Sequence, residues 1–126
     1  SAMNRVLQLL GLAQRAGKLV SGDEGVLAAV RGGKARLVII ARDASPGAVK
    51  KYSDKCRHYG VTMVQAADRQ QLGRSIGKPE RVAIALLDDG FAGLVRKALN
   101  HSETQIGDAN PREVKDIEQT GKIEGI

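Results

Sequence analysis

The stretch Ala35-Arg36-Leu37-Val38-Ile39-Ile40-Ala41-Arg42-Asp43-Ala44-Ser45-Pro46 (ARLVIIARDASP) decides how this chain folds. From Leu37 to Ala41 it is apolar without a break. A strand with one wet face alternates apolar and polar residues, so this run predicts a strand over 35–41 that is covered on both faces. Ser45 then offers a capping hydroxyl, and Pro46 suits the first position of a helix. A buried strand followed at once by a helix start is the unit of layered α/β domains.

Reading outward, the same alternation recurs. Asn4 can cap a helix running to Ala16, with Val6, Leu7, Leu9, Leu10 and Ala13 as its apolar stripe and Gly17 as its stop. Leu19-Val20 reads as a short strand, and a helix from Ser21 ends at Gly32-Gly33. In the helix after Pro46, Val49, Tyr52, Cys56 and Tyr59 share an inner face, while Lys50, Lys51, Lys55 and Arg57 cover the outer ones. Gly60 stops it before a strand over 61–64. Asp68 caps a short helix with Leu72 and Ile76 inward. Residues 82–87 form another buried strand. Asp88 or Asp89 caps a last helix with Phe91, Leu94, Val95 and Ala98 on one face. Strands alternating with helices predict a three-layer α/β/α sandwich. Residues 4–100 read as one domain. Ser1 and Ala2 precede Met3 like a cloning remnant and are set aside. Residues 101–126 read as a polar extension, partly helical or mobile, with Val114 and Ile117 on one face of a short helix.

The charge is uneven. The net formal charge is +6, yet residues 1–100 hold 17 of the 20 Lys/Arg and eight of the 14 Asp/Glu, a net of +9. A basic body points to a polyanion, most often nucleic acid. No apolar run is long enough to span a bilayer, so a membrane partner is not expected. A single cysteine, Cys56, excludes an internal disulfide and fits a reducing, cytoplasmic setting. On the apolar face of its helix it reads as a buried hydrophobe, with no base at helical spacing to make it a nucleophile. No Cys/His spacing suits a metal, and no phosphate-loop glycine pattern follows a strand. An enzyme acting on nucleotides therefore lacks its parts, and no catalytic residue or cofactor is expected. Asp88-Asp89 could hold Mg²⁺ but is better explained as a helix cap. The few aromatic residues are committed to helix faces, which disfavours base stacking.

Within this basic body, Gly17–Leu27 (GKLVSGDEGVL) sets two acids between glycines. Ser21-x-x-Glu24 matches a capping box, in which each side chain would bond the other residue's amide. A second use is available to the same atoms. A carboxylate can accept from amino and imino groups on base edges, provided that cations nearby hold the phosphates. Lys18, Arg31 and Lys34 lie near in sequence, and Gly22 and Gly25 would let a nucleic-acid backbone come close.

Five stretches, LLGLAQRAGKLVSGDEGV, GKARLVIIARDASP, KCRHYGV, LGRSIGK and VAIALLDDGFA, resemble the kink-turn-binding ribosomal-protein family in order and spacing over residues 4–99. The resemblance implies an α/β/α sandwich around a mixed four-stranded sheet and a non-enzymatic, RNA-binding, ribosome- or translation-linked role. In the family an Asn-Glu pair opening the second helix reads sheared G·A pairs of a kinked RNA. A Lys three residues after the Glu, and an Arg four further on, support it. Glu24 and Arg31 match that pattern, whereas Asp23 stands for the Asn and Leu27 for the Lys. The family's second contact loop corresponds to 77–81, where Lys78 and Arg81 can meet phosphate.

The sequence thus leads to a monomeric, cytoplasmic protein that binds structured RNA, including rRNA on a ribosome. Lys18, Gly22, Asp23, Glu24, Arg31, Lys34, Lys78 and Arg81 are its expected RNA contacts. The competing expectation is a protein-interaction module that docks on a ribosome or translation factor.

Overall fold

The computed structural model describes residues 1–107, and side chains as far as residue 100. In chain order the elements are α1 (Ala2–Arg15), β1 (Leu19–Ser21), α2 (Asp23–Arg31), β2 (Leu37–Ile40), α3 (Pro46–Tyr59), β3 (Met63–Gln65), α4 (Arg69–Ser75), β4 (Ala83–Leu86) and α5 (Asp89–Gly107). The strands form one sheet in the order β1-β4-β2-β3. β2 and β3 run parallel, joined by α3, and β4 is antiparallel to both β1 and β2. The sheet is therefore mixed and four-stranded, as the family resemblance implies.

Leu37, Val38, Ile39 and Ile40 are all fully buried, because each face of β2 has its own helical layer. Leu37 and Ile39 point into a core with α1, α4 and α5, joined by Val6, Leu10, Leu72, Ile84 and Val95. Val38 and Ile40 point into a second core with α2 and α3, joined by Val26, Val30, Tyr52, Cys56 and Ala85. Period-2 side-chain direction in the strand distributes an unbroken apolar run between two cores.

Local signals mostly act where the sequence puts them. The Ser45 hydroxyl accepts from the Ala48 amide at 3.1 Å, with Pro46 opening the helix. Asp68 and Gln71 close a reciprocal capping box on α4. Asp88 Oδ2 accepts from the Phe91 amide at 2.9 Å, and Asp89 pairs with Arg36 at 3.3 Å, so these two acids serve helix start and surface. Among the described residues no group of three His, Cys, Asp or Glu could hold a metal. No described helix is long and apolar enough to cross a membrane.

The start of the first helix and the exposure of two side chains differ from expectation. α1 starts at Ala2, and Ser1, not Asn4, caps it by accepting from the Asn4 amide at 3.2 Å. Leu94 and Tyr59 are exposed, at 44% and 42%, because α5 and α3 each cover the sheet with a narrower face than the apolar pattern suggests. The last helix runs on to Gly107, and the expected helix around Val114 and Ile117 lies outside the described residues.

Cys56 is 1% exposed, and burial raises its thiol above the ordinary value. A thiol reagent at pH 8 should label it on the order of a hundredfold more slowly in the native protein than in denaturant, because labelling must wait for the core to open. Equal rates would place Cys56 at the surface.

Candidate nucleic-acid interface

β1 pairs with β4 through Leu19↔Leu86, Val20↔Ala85 and Ser21↔Ile84. This pairing carries the strand as far as Ser21, and the Gly22 amide extends it by donating to the Ala83 carbonyl at 3.0 Å. The chain must then turn sharply into α2. Gly22 makes the turn at φ 90°, ψ 161°, a region that is closed to side-chain-bearing residues. Gly22 is thus the N-cap of α2, and no side chain accepts from the first-turn amides.

The expected Ser21/Glu24 capping box is therefore absent. Ser21 is held one position too early, in the sheet, and its hydroxyl accepts from Arg81 Nε at 3.1 Å. Glu24 is left exposed and makes no hydrogen bond or ion pair among the described residues. An open helix N-terminus carries partial positive charge and leaves donors available to an anion.

Asp23 has a different fate. Its Oδ1 accepts from Lys51 Nζ at 2.6 Å and also from the Tyr52 hydroxyl, both on α3. Donation from Lys51, then from Tyr52, holds the Asp23 carboxyl below the usual carboxylate value. Burial and the bond to Asp23 raise Tyr52 in turn. Neither partner was identified from the sequence, which lists them 28 and 29 positions away. The only local signal was the pattern of α3 itself: Tyr52 on its apolar face and Lys51 beside it.

From Glu24 an exposed strip continues along α2. Ala28 and Arg31 follow at spacings of four and three, on the same helix face, and both are exposed. Arg31 sits about 10 Å from Glu24 along the axis, at 1.5 Å per residue. Leu27 is part-buried and packs on the α2/α3 core, as its apolar character suggests.

The loop 77–81 lies beside this helix start. Arg81 Nη1 donates to the carbonyls of Pro79 at 3.3 Å and Glu80 at 3.0 Å, while Nε reaches Ser21. Arg81 thus ties the loop to the end of β1, and Lys78 stands exposed in the loop. The loop also rests on α4. Gly73 is buried there, and a Cβ on it would lie 2.0 Å from the Pro79 oxygen. That close approach, invisible in the sequence, explains the glycine.

Of the expected residues, Gly22, Asp23, Glu24, Lys78 and Arg81 gather at this end of the sheet, with Arg31 two turns away on α2. Lys18 and Lys34 do not join them. The Lys18 carbonyl accepts from Leu87 and the Leu86 carbonyl from Arg36, so both lysines flank the opposite end of β4. Four residues of extended chain, about 13 Å at 3.3 Å each, separate Lys18 from Gly22. On the α3 surface, Lys50 and Arg57 both pair with Asp54, and Lys51 pairs with Asp23. Two acids thus meet four cations, counting Lys55, and the face stays basic on balance.

Residues 4–105 match the model of the ribosomal protein L7Ae/L30e/S12e/Gadd45 family. The RNA-binding protein YlxQ of Bacillus subtilis (strain 168) is 49% identical over 84 residues, covering 67% of this chain and 84% of that protein. A protein of unknown function from Bacillus halodurans C superposes with a TM-score of 0.73 at 43% identity, over 76% of this chain and 97% of that one. The Giardia lamblia 15.5kD RNA binding protein does so with a TM-score of 0.68 at 25% identity, over 83% and 90%. The chain belongs to the ribosomal protein L7Ae/L30e/S12e/Gadd45 family.

Proposed function

We propose that this protein binds structured RNA and recognises a kinked helix containing G·A pairs, reading base edges with Glu24. The observation that carries this reading is the freedom of that carboxylate. It is exposed at an uncapped helix start and has no partner within the described residues. An acid with no structural task, set in a basic chain, suits donors on a base edge better than it suits phosphate. The names of the relatives, RNA-binding and ribosomal, support the same class.

Gly22 lets the RNA backbone approach the turn. Lys78 and Arg31 hold phosphates on either side of Glu24, and Arg81 keeps the 77–81 loop in place beside it. Arg31 is the last residue of α2, so an RNA that reaches it from Glu24 runs the length of the helix, and Lys34 and then Lys18 lie just beyond, at the far end of the sheet. Asp23 lies at the interface edge. The binding unit is residues 4–100, acting as a monomer in the cytoplasm on rRNA or a ribosome-associated RNA, without a cofactor.

Titration against a kink-turn, a plain duplex and a single strand at several salt concentrations tests this. Binding should be tightest to the kink-turn and fall steeply with salt. Arg31→Ala should weaken all three RNAs alike and reduce the log–log salt slope by about 0.9, the share of one phosphate contact on a duplex. Equal affinity for the three RNAs would instead favour the protein-interaction module.

A further inference from the structure

We infer that Asp23, Lys51 and Tyr52 form a clamp that positions the first turn of α2, so that Asp23 is a positioning residue and base reading falls to Glu24 alone. This inference rests on the proposed reading role of Glu24.

The first turn of α2 needs such a device. The helix has nine residues, starts from a glycine and has no side-chain cap, so its end would fray if left to itself. Asp23 is its first residue and is held at one oxygen by two donors from α3. Tyr52 is itself fixed, whereas Lys51 is an exposed partner. Tyr52 is 3% exposed, its ring embedded with Val38, Ile40 and Cys56 in the α2/α3 core. Lys51 Nζ lies 5.2 Å from the centre of the Tyr52 ring, so ring and carboxylate both constrain the ammonium.

The clamp also divides the labour of the two acids. One helical step rotates a side chain by about 100°, so an Asp23 turned to α3 leaves Glu24 turned away from it. An ionised carboxylate can only accept, and a base-edge donor at Asp23 would compete with two donors already in place. Glu24 has no such competitors. The ion pair also offsets the negative charge that Asp23 would otherwise present to an approaching phosphate.

The test reads the ratio of kink-turn to plain-duplex affinity, together with the melting temperature, for Tyr52→Phe, Lys51→Met, Lys51→Arg and Asp23→Asn. Tyr52→Phe and Lys51→Met should each lower the ratio by about twofold or more, as expected for residues coupled in one hydrogen-bonded network. Lys51→Arg should restore it. In a Glu24→Ala background none of these changes should alter the ratio further. Asp23→Asn should lower the ratio as well, since the amide gives up the ion pair. A purely structural tie would lower the melting temperature and leave the ratio at the wild-type value, which overturns the clamp. A ratio raised by Asp23→Asn overturns it too, because Asp23 would then be repelling RNA. If Glu24→Ala lowers the ratio while the clamp variants do not, the clamp alone fails. If Glu24→Ala has no effect, the reading role fails and the clamp falls with it.

Discussion

Gly73→Ala is expected to lower the free energy of unfolding by about 1–3 kcal/mol, the usual range for forcing a methyl group into a packed interior. The added Cβ would lie 2.0 Å from the Pro79 oxygen, 2.6 Å from the Pro79 carbonyl carbon and 2.9 Å from Glu80 Cα. All three are backbone atoms, so no rotamer change relieves the overlap, and the loop 77–81 must move as a body. The Lys78 amide, which donates to the Gly73 carbonyl at 2.9 Å, moves with it. Alanine improves helix propensity by up to ~1 kcal/mol over glycine, which offsets only part of the clash. Displacing the loop also strains the Arg81–Ser21 bond and shifts Lys78, so RNA affinity should fall alongside stability. Gly93→Ala serves as the control. Gly93 lies in α5 with nothing within 4 Å of an added Cβ, and this change should be neutral or stabilising by about 0.5–1 kcal/mol. Urea denaturation of both variants checks the pair. An unchanged midpoint for Gly73→Ala would mean that the loop does not rest on α4 as described.

Glu24→Ala is expected to cost the protein its discrimination between a kink-turn and a plain duplex. A well-placed side chain on a base edge contributes about 1–3 kcal/mol of discrimination, which is roughly tenfold to a hundredfold in relative affinity. Affinity for the plain duplex should hold or rise slightly, because a negative charge leaves a surface that faces phosphate. The fold should be untouched. The residue is exposed and caps nothing, so the melting temperature should stay within the small range typical of surface substitutions. This combination separates a reading residue from a capping one. Had Glu24 closed a capping box, its loss would have destabilised α2 and weakened every RNA together.

The layered fold was legible because its signals are local. The unbroken run through Leu37–Ala41, the Ser45-Pro46 start and the Asp68 cap each depend on neighbours within a few residues, and each acts as the sequence suggests. The site was legible only in part, because its decisive contacts are not local. Whether Ser21 caps α2 or ends β1 is settled by β4, more than 60 positions away, and by Arg81, which claims its hydroxyl. Whether Asp23 is free is settled by Lys51 and Tyr52. Lys18 and Lys34 look close to Glu24 along the chain, yet a strand and a helix carry them to the other end of the sheet. Distances along a sequence do not survive the turn at Gly22.

Base reading by Glu24 is tested most directly with two RNAs: a kink-turn, and the same RNA with its G·A pairs replaced by Watson–Crick pairs. The affinity ratio is measured for the wild type and for Glu24→Ala at two salt concentrations. Absolute affinities should fall with salt in both proteins. The wild-type ratio should hold at about tenfold or more across that change, because it comes from base edges rather than phosphates, and should collapse towards one in Glu24→Ala. The same ratio in both proteins would contradict the assignment of Glu24 as the reading residue.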